Sequence, residues 1–255
     1  MAHLRLFWRL TLLIGLMMWH IPLHLIARRG GRPSPWPRHF LRRAARAIGF
    51  DVRTTGAPAL QRDVFFIANH LSWIDILALG GSTGCAFIAK DDVRTAPLVG
   101  WLANQNGTIY VTRDRRAGVS QQVETLRSAL ATHQPIALFP EGTTGGGGAL
   151  LPFKSALFSV LLPPPRAIRI QPVVLDYGPA IPLVAWPDGE TGLANARRIL
   201  SAPGRRTILL HMLAPFDPGA RPDRKTLTAE VRDRISKALD RLPDPETSSV
   251  ANPAR

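Results

Sequence analysis

The sequence predicts an α/β fold: a single domain with a mixed, largely parallel sheet flanked by helices, and an N-terminal hydrophobic helix that anchors it to a membrane. Three observations predict it. Short apolar runs alternate with segments of helical spacing, the order that builds a parallel sheet. One long run without formal charge stands near the N-terminus. Hydrophobic residues make up 45% of the 255 residues and charged ones 20%, enough for a core and unlike a disordered chain.

The first element is the uncharged run Leu10–Ala27, LTLLIGLMMWHIPLHLIA. Its 18 residues lie near the lower limit of about 17–25 for a spanning helix, and His20, Pro22 and His24 interrupt its second half. A cleaved signal would follow Arg5 and Arg9, but no A-x-A-like site precedes Arg28 and Arg29. The expectation is an uncleaved anchor, spanning the membrane or lying in its interface, with a buried soluble helix as the remaining alternative. Residues 1–50 hold nine arginines and no Asp, Glu or Lys, so +9 of the net +14 sits in the first fifth of the chain. Beside an apolar segment, this cluster reads as a contact to an anionic membrane surface. The positive-inside tendency puts the body of the chain on the cytoplasmic side. Nucleic acid is the poorer partner, because zinc-ligand spacing and an aromatic-rich strand signature are both missing. We divide the chain into a basic anchor region at 1–46, the main domain at 47–242 and a loose tail at 243–255.

Within the main domain, Val64–Ala68, Cys85–Ala89, Thr108–Val111, Ile136–Phe139, Ile168–Leu175 and Thr207–Met212 read as strands. Trp73–Gly80, Pro97–Asn104, Val119–Thr132 and Thr226–Leu242 read as helices, the second with Pro97 in its first turn. The one cysteine, Cys85, excludes an internal disulfide and a Cys-rich zinc site, and its apolar neighbours make it a buried inert thiol.

Three stretches carry candidate chemistry. The first, Asn69-His70-Leu71-Ser72-Trp73-Ile74-Asp75, follows a strand. An imidazole can take a proton from an attacking hydroxyl, and a carboxylate can orient it. On a regular helix the two side chains would face about 140° apart, so they meet only if His70 lies in the turn before the helix. Ser72 as N-cap would put it there. An S-x-x-D capping box of Ser72 and Asp75 accounts for the same residues, and the two readings are compatible. The second stretch is Phe139-Pro140-Glu141-Gly142-Thr143-Thr144, followed by four glycines. Its backbone and hydroxyls could bind an anion, or it could be a capped glycine loop. It is not a P-loop, because no Lys follows the last glycine. The third is Gly107–Arg113, where Arg113 could fork onto a phosphate at the sheet edge or be a surface arginine.

Together these stretches resemble the glycerolipid acyltransferase family, which includes the 1-acylglycerol-3-phosphate acyltransferases. His70 to Asp75 matches its H-x4-D motif, Gly107 to Arg113 its second block, Phe139 to Thr143 its F-P-E-G-T block, and Ile170-Gln171-Pro172-Val173-Val174 its fourth. Lys90, Pro97, Gly100 and Pro152-Phe153-Lys154 fall where such proteins usually have them. The likeness runs from about residue 60 to 180, in order and spacing. It implies transfer of a fatty acyl chain from an acyl thioester to a lysophospholipid hydroxyl, with His70 as base, Asp75 orienting it, and no acyl-enzyme. Arg113, Glu141, Gly142, Thr143 and Thr144 would bind the acceptor. No metal or cofactor is implied; the acyl donor is acyl-CoA or an acyl carrier protein thioester. Many members carry arginine where Thr144 stands. The expected acceptor is still 1-acyl-sn-glycerol-3-phosphate, because the second block is intact. The alternatives are a phosphate-free lysolipid such as lyso-ornithine lipid, a thioesterase-like hydrolase, and a non-catalytic membrane-anchored lipid-binding protein.

Overall fold

The computed structural model describes residues 1–30, 34–111, 126, 128–129, 134–164 and 166–242. Its centre is a seven-stranded sheet. The strands are β1 (Phe50–Gly56), β2 (Val64–Ala68), β3 (Ala86–Lys90), β4 (Ile109–Val111), β5 (Ile136–Leu138), β6 (Arg169–Asp176) and β7 (Arg206–Met212). Their order across the sheet is β1-β7-β6-β2-β5-β3-β4. Every pairing is parallel except β6 with β7. The expected mixed, largely parallel sheet is therefore present.

The helices are α1 (Ala2–Arg29), α2 (Trp36–Ala47), α3 (Ile74–Thr83), α4 (Asp91–Thr95), α5 (Pro97–Gln105), α6 (Ile181–Val184), α7 (Gly192–Ser201) and α8 (Arg224–Leu239). Side chains alternate across the pleat, so β2 sends Val64, Phe66 and Ala68 to one core and Phe65 and Ile67 to the other. The first core packs under α2, α3 and α7; the second packs under α8 and the 3-10 turn Ser155–Leu161. Burial on both faces is why β2 reads as an unbroken apolar run rather than an alternating one. Cys85 is fully buried, and burial pushes its thiol up to about 12.

Two differences from the sequence reading change the picture of the N-terminus. The end of the expected basic anchor region forms α2, whose Ala44 and Ala45 are core residues. α2 lies close on α3: a Cβ on Gly81 would stand 2.7 Å from the Arg42 backbone nitrogen, so only glycine allows this approach. The expected boundary between residues 46 and 47 thus falls inside one packed unit. β1, α7 and the turn at Ser155–Leu161 were also not expected. The helix expected over Val119–Thr132 lies almost wholly outside the described residues, although Leu126 within it is buried; the tail at 243–255 lies outside them too.

The apolar run is the middle of α1, a helix roughly 42 Å long at 1.5 Å per residue. Its Arg9, His20 and His24 are buried against the domain. The buried Arg9 guanidinium donates to the carbonyls of Ile199, Leu200 and Gly204, at 3.1, 3.2 and 3.2 Å, and Arg5 donates to that of Ser201. At the other end His24 bonds to Ser34 and to Gln105 of α5, and His20 meets Arg43 of α2. Leu4, Phe7, Trp8, Ile14, Met18, Trp19 and Ile26 point outward and are exposed. Arg5 and Arg9, which stand before the run, are thus engaged with the body of the domain. They close the C-terminal end of α7, where backbone carbonyls lack helical partners.

Candidate active site

Three adjacent parallel strands, β6, β2 and β5, end on the same edge of the sheet, and each delivers one part of the site. Asn69 follows β2. Its side chain continues the ladder toward β6, donating to the Leu175 carbonyl at 3.1 Å and accepting from the Leu175 N–H at 2.8 Å. This clamp fixes the turn that begins with His70.

α3 starts only at Ile74, so His70 lies in the turn before it, as the geometry requires. His70 Nδ1 and Asp75 Oδ2 are 2.7 Å apart, and the Asp75 side chain is fully buried. The same oxygen accepts from the N–H groups of Leu71 at 2.7 Å and Ser72 at 2.9 Å. Asp75 thus reaches back over its own helix N-terminus, where backbone N–H groups and the helix dipole favour a negative charge. The capping box exists only in this backward half. Ser72 is not the N-cap, which is Trp73, and among the described residues its buried hydroxyl has no partner. Dyad and cap share one carboxylate.

Behind the dyad, Tyr177 follows β6 and donates its hydroxyl to Asp75 Oδ1 at 2.5 Å. Burial, with the nearby Asp75 charge adding to it, pushes the phenol well above its usual range, so it stays protonated and remains a donor. Phe139, at the end of β5, stacks on the His70 ring with centroids 4.1 Å apart and planes within 9°. The outer side of the ring is open; the His70 side chain is 17% exposed.

Glu141 is only 4% exposed. Its Oε1 accepts from the His70 N–H at 2.7 Å and its Oε2 from the Leu151 N–H at 3.0 Å. Burial raises its carboxyl above the ordinary value, against the lowering effect of these two bonds. Gly142 has φ of 70°, and a Cβ there would stand 2.8 Å from Lys154 Nζ. The Gly145 N–H donates to the His70 carbonyl at 2.9 Å. Thr144 donates its hydroxyl to the Trp186 carbonyl at 2.7 Å, and the Trp186 N–H donates to the Leu71 carbonyl at 3.0 Å. Thr143 lies half-buried in the same loop. Hence His70, Asp75, Glu141, Gly142, Thr143 and Thr144 gather in one place. Arg113 lies outside the described residues. Among those described, no cluster of three or more His, Cys, Asp or Glu could hold a metal ion.

Sequence reasoning missed Tyr177, the Asn69 clamp and the stacked Phe139. Tyr177 had a usable signal: Val173, Leu175 and Tyr177 alternate onto the core face that also receives α3.

A buried carboxylate orients an imidazole, the ring's other nitrogen faces solvent, and among the described residues no serine or cysteine stands as nucleophile in this arrangement. It suits an enzyme that deprotonates a hydroxyl for direct transfer. The family model described as Acyltransferase matches residues 51–176. The chain belongs to this family of acyltransferases, as its four ordered blocks led us to expect. It is 32% identical over 227 residues to a lyso-ornithine lipid O-acyltransferase of Rhizobium meliloti (strain 1021), covering 83% of this chain and 77% of that protein. It is 36% identical over 171 residues to a 1-acyl-sn-glycerol-3-phosphate acyltransferase of Neisseria gonorrhoeae, covering 67% of this chain and 62% of the relative. The fold is that of the crystal structure of the 1-acyl-sn-glycerophosphate (LPA) acyltransferase PlsC from Thermotoga maritima. That match has a TM-score of 0.66 at 19% identity and covers 94% of this chain and 97% of the other.

Proposed function

We propose that this chain moves a fatty acyl group from an acyl thioester to the hydroxyl of a lysolipid, and that its acceptor is lyso-ornithine lipid. The observation that carries the transfer is the His70–Asp75 pair with its open outer face. With Nδ1–H committed to Asp75, the neutral ring presents Nε2 as the proton acceptor. The acceptor hydroxyl gives its proton to Nε2 as its oxygen attacks the thioester carbonyl. The Asp75 charge balances the imidazolium. The tetrahedral intermediate collapses, the C–S bond breaks, and the leaving thiolate takes the proton back from Nε2. The N–H groups of His70, Leu71, Ser72, Gly142 and Gly145 are committed to internal acceptors. Those of Thr143 and Thr144 have no acceptor among the described residues and are the candidate oxyanion donors. The thioester carrier is coenzyme A or acyl carrier protein.

Two features support the ornithine acceptor. Thr144 stands where an acceptor-binding arginine is common, and its hydroxyl is spent on the Trp186 carbonyl. An ornithine headgroup offers a carboxylate and an ammonium, which need less fixed positive charge than a phosphate. The match to the lyso-ornithine relative also runs further along both chains than that to the glycerophosphate relative. The second reading, a 1-acyl-sn-glycerol-3-phosphate acceptor, rests on the intact block ending in Arg113.

α1 supports a membrane-bound enzyme whose helix lies in the interface; placing it on the cytoplasmic side rests on the arginines that follow the apolar run. It touches the domain near both ends and turns its apolar face outward, so it cannot cross a bilayer without drawing the domain in. The test is to supply acyl-CoA or acyl carrier protein thioester with lyso-ornithine lipid, lysophosphatidate and lysophosphatidylethanolamine separately, and to identify products by mass spectrometry. Ornithine lipid as the main product is expected. Phosphatidate alone would overturn the acceptor assignment, and free fatty acid alone would overturn transfer itself.

A further inference from the structure

Asp75 accepts four hydrogen bonds, and only three come from its own turn: His70 Nδ1, Leu71 N–H and Ser72 N–H all reach Oδ2. Oδ1 is held from across the sheet by Tyr177 at 2.5 Å. We infer that Tyr177 is a positioning residue of the reaction, acting on His70 through Asp75; this rests on the base role proposed above for His70.

The geometry supports this. A carboxylate on one χ2 torsion can turn, and any turn that brings Oδ1 toward the ring or moves Oδ2 off Nδ1 changes where Nε2 points. Tyr177 blocks that turn from a rigid origin. It is 1% exposed, its ring meets Phe50 of β1 edge-on at 6.4 Å, and it follows β6 two residues past the Asn69 clamp on Leu175. The same strand end therefore fixes the start of the His70 turn and the far oxygen of the carboxylate. The phenol also supplies the last donor to a buried anion. Without it Oδ1 is left bare in the core, and the charge that should balance the imidazolium is weakened as the proton arrives. The effect appears in the transition state rather than in substrate binding, because Tyr177 is buried behind Asp75, away from the open face of His70.

The test is a double-mutant cycle on the full-length protein in vesicles, at 25 °C, with folding of each variant checked by circular dichroism. Tyr177→Phe keeps the ring and removes only the hydroxyl. Its kcat should fall roughly 10- to 100-fold, the range of one charge-assisted bond lost at the balancing charge, with KM for thioester and acceptor unchanged within about twofold. In an Asp75→Asn background, where that charge is already gone, Tyr177→Phe should change kcat less than about threefold. A folded Tyr177→Phe with wild-type kcat, or the same fold-loss in both backgrounds, overturns the inference while the wild type still transfers acyl groups. A wild type that transfers none overturns the proposed function and this role with it.

Discussion

Glu141→Gln separates a carboxylate that touches the acceptor from one that holds two loops together. The change keeps the shape. The amide oxygen can still accept from the His70 N–H, now 2.7 Å from Oε1, but the NH2 would meet the Leu151 N–H, donor against donor, across a gap of 3.0 Å. One buried N–H loses its acceptor, which costs about 1–3 kcal/mol. Burial already penalises the carboxylate, and the neutral amide avoids that penalty, so the lower half of the range applies. At roughly 2–4 °C per kcal/mol for a chain of this size, the melting temperature should drop by about 2–8 °C. Because the folded carboxyl is raised above 4.5, its contribution to stability is fully present below that value and is lost as pH rises through the raised one. The melting margin of wild type over the variant should therefore narrow from about pH 4 to pH 7. Thermal unfolding by circular dichroism across that range is the assay. An unchanged melting temperature with a tenfold higher KM for the acceptor would refute the reasoning and make Glu141 a substrate contact.

Three further outcomes follow from the anchor and the acceptor pocket. Arg9→Met strips donors from the carbonyls of Ile199, Leu200 and Gly204 and should cost about 2–3 kcal/mol by chemical denaturation, while membrane pelleting persists. Deleting residues 1–30 should for the same reason destabilise the domain rather than merely release it, and a deletion that melts like the full chain would contradict the docked helix. Thr144→Arg should raise kcat/KM for lysophosphatidate relative to lyso-ornithine lipid by about tenfold, because a guanidinium fork favours phosphate. An unchanged ratio between the two acceptors would show that position 144 does not face the headgroup.

Much of the framework is legible from local pattern. β2 and β6 are largely apolar runs buried in the sheet, and β7 alternates buried with half-exposed positions; strand patterns of this kind need no tertiary information to be seen. α2 was hard to see because five of its twelve residues are arginine or histidine and the residues it buries fully are two small ones, Ala44 and Ala45, while Leu41 and Arg42 approach the glycines of α3. The docking of α1 on the domain is not legible for a related reason. Arg9 looks like a flank of the apolar run until the carbonyls it caps, some 190 residues away in sequence, are in view. At the site, the His70–Asp75 contact could be argued from spacing because it is local. Glu141 and Tyr177 could not be placed so, since their partners lie 71 and 102 residues away and only the order of β6, β2 and β5 brings them together.

The central claim is that His70, oriented by Asp75, removes the proton from the acceptor hydroxyl. The most direct measurement is kcat for acyl transfer to lyso-ornithine lipid by wild type and His70→Ala, both in vesicles and both shown to be folded. Loss of a general base should lower kcat by about 10²–10⁴-fold. His70→Ala activity within a few-fold of wild type would contradict the account.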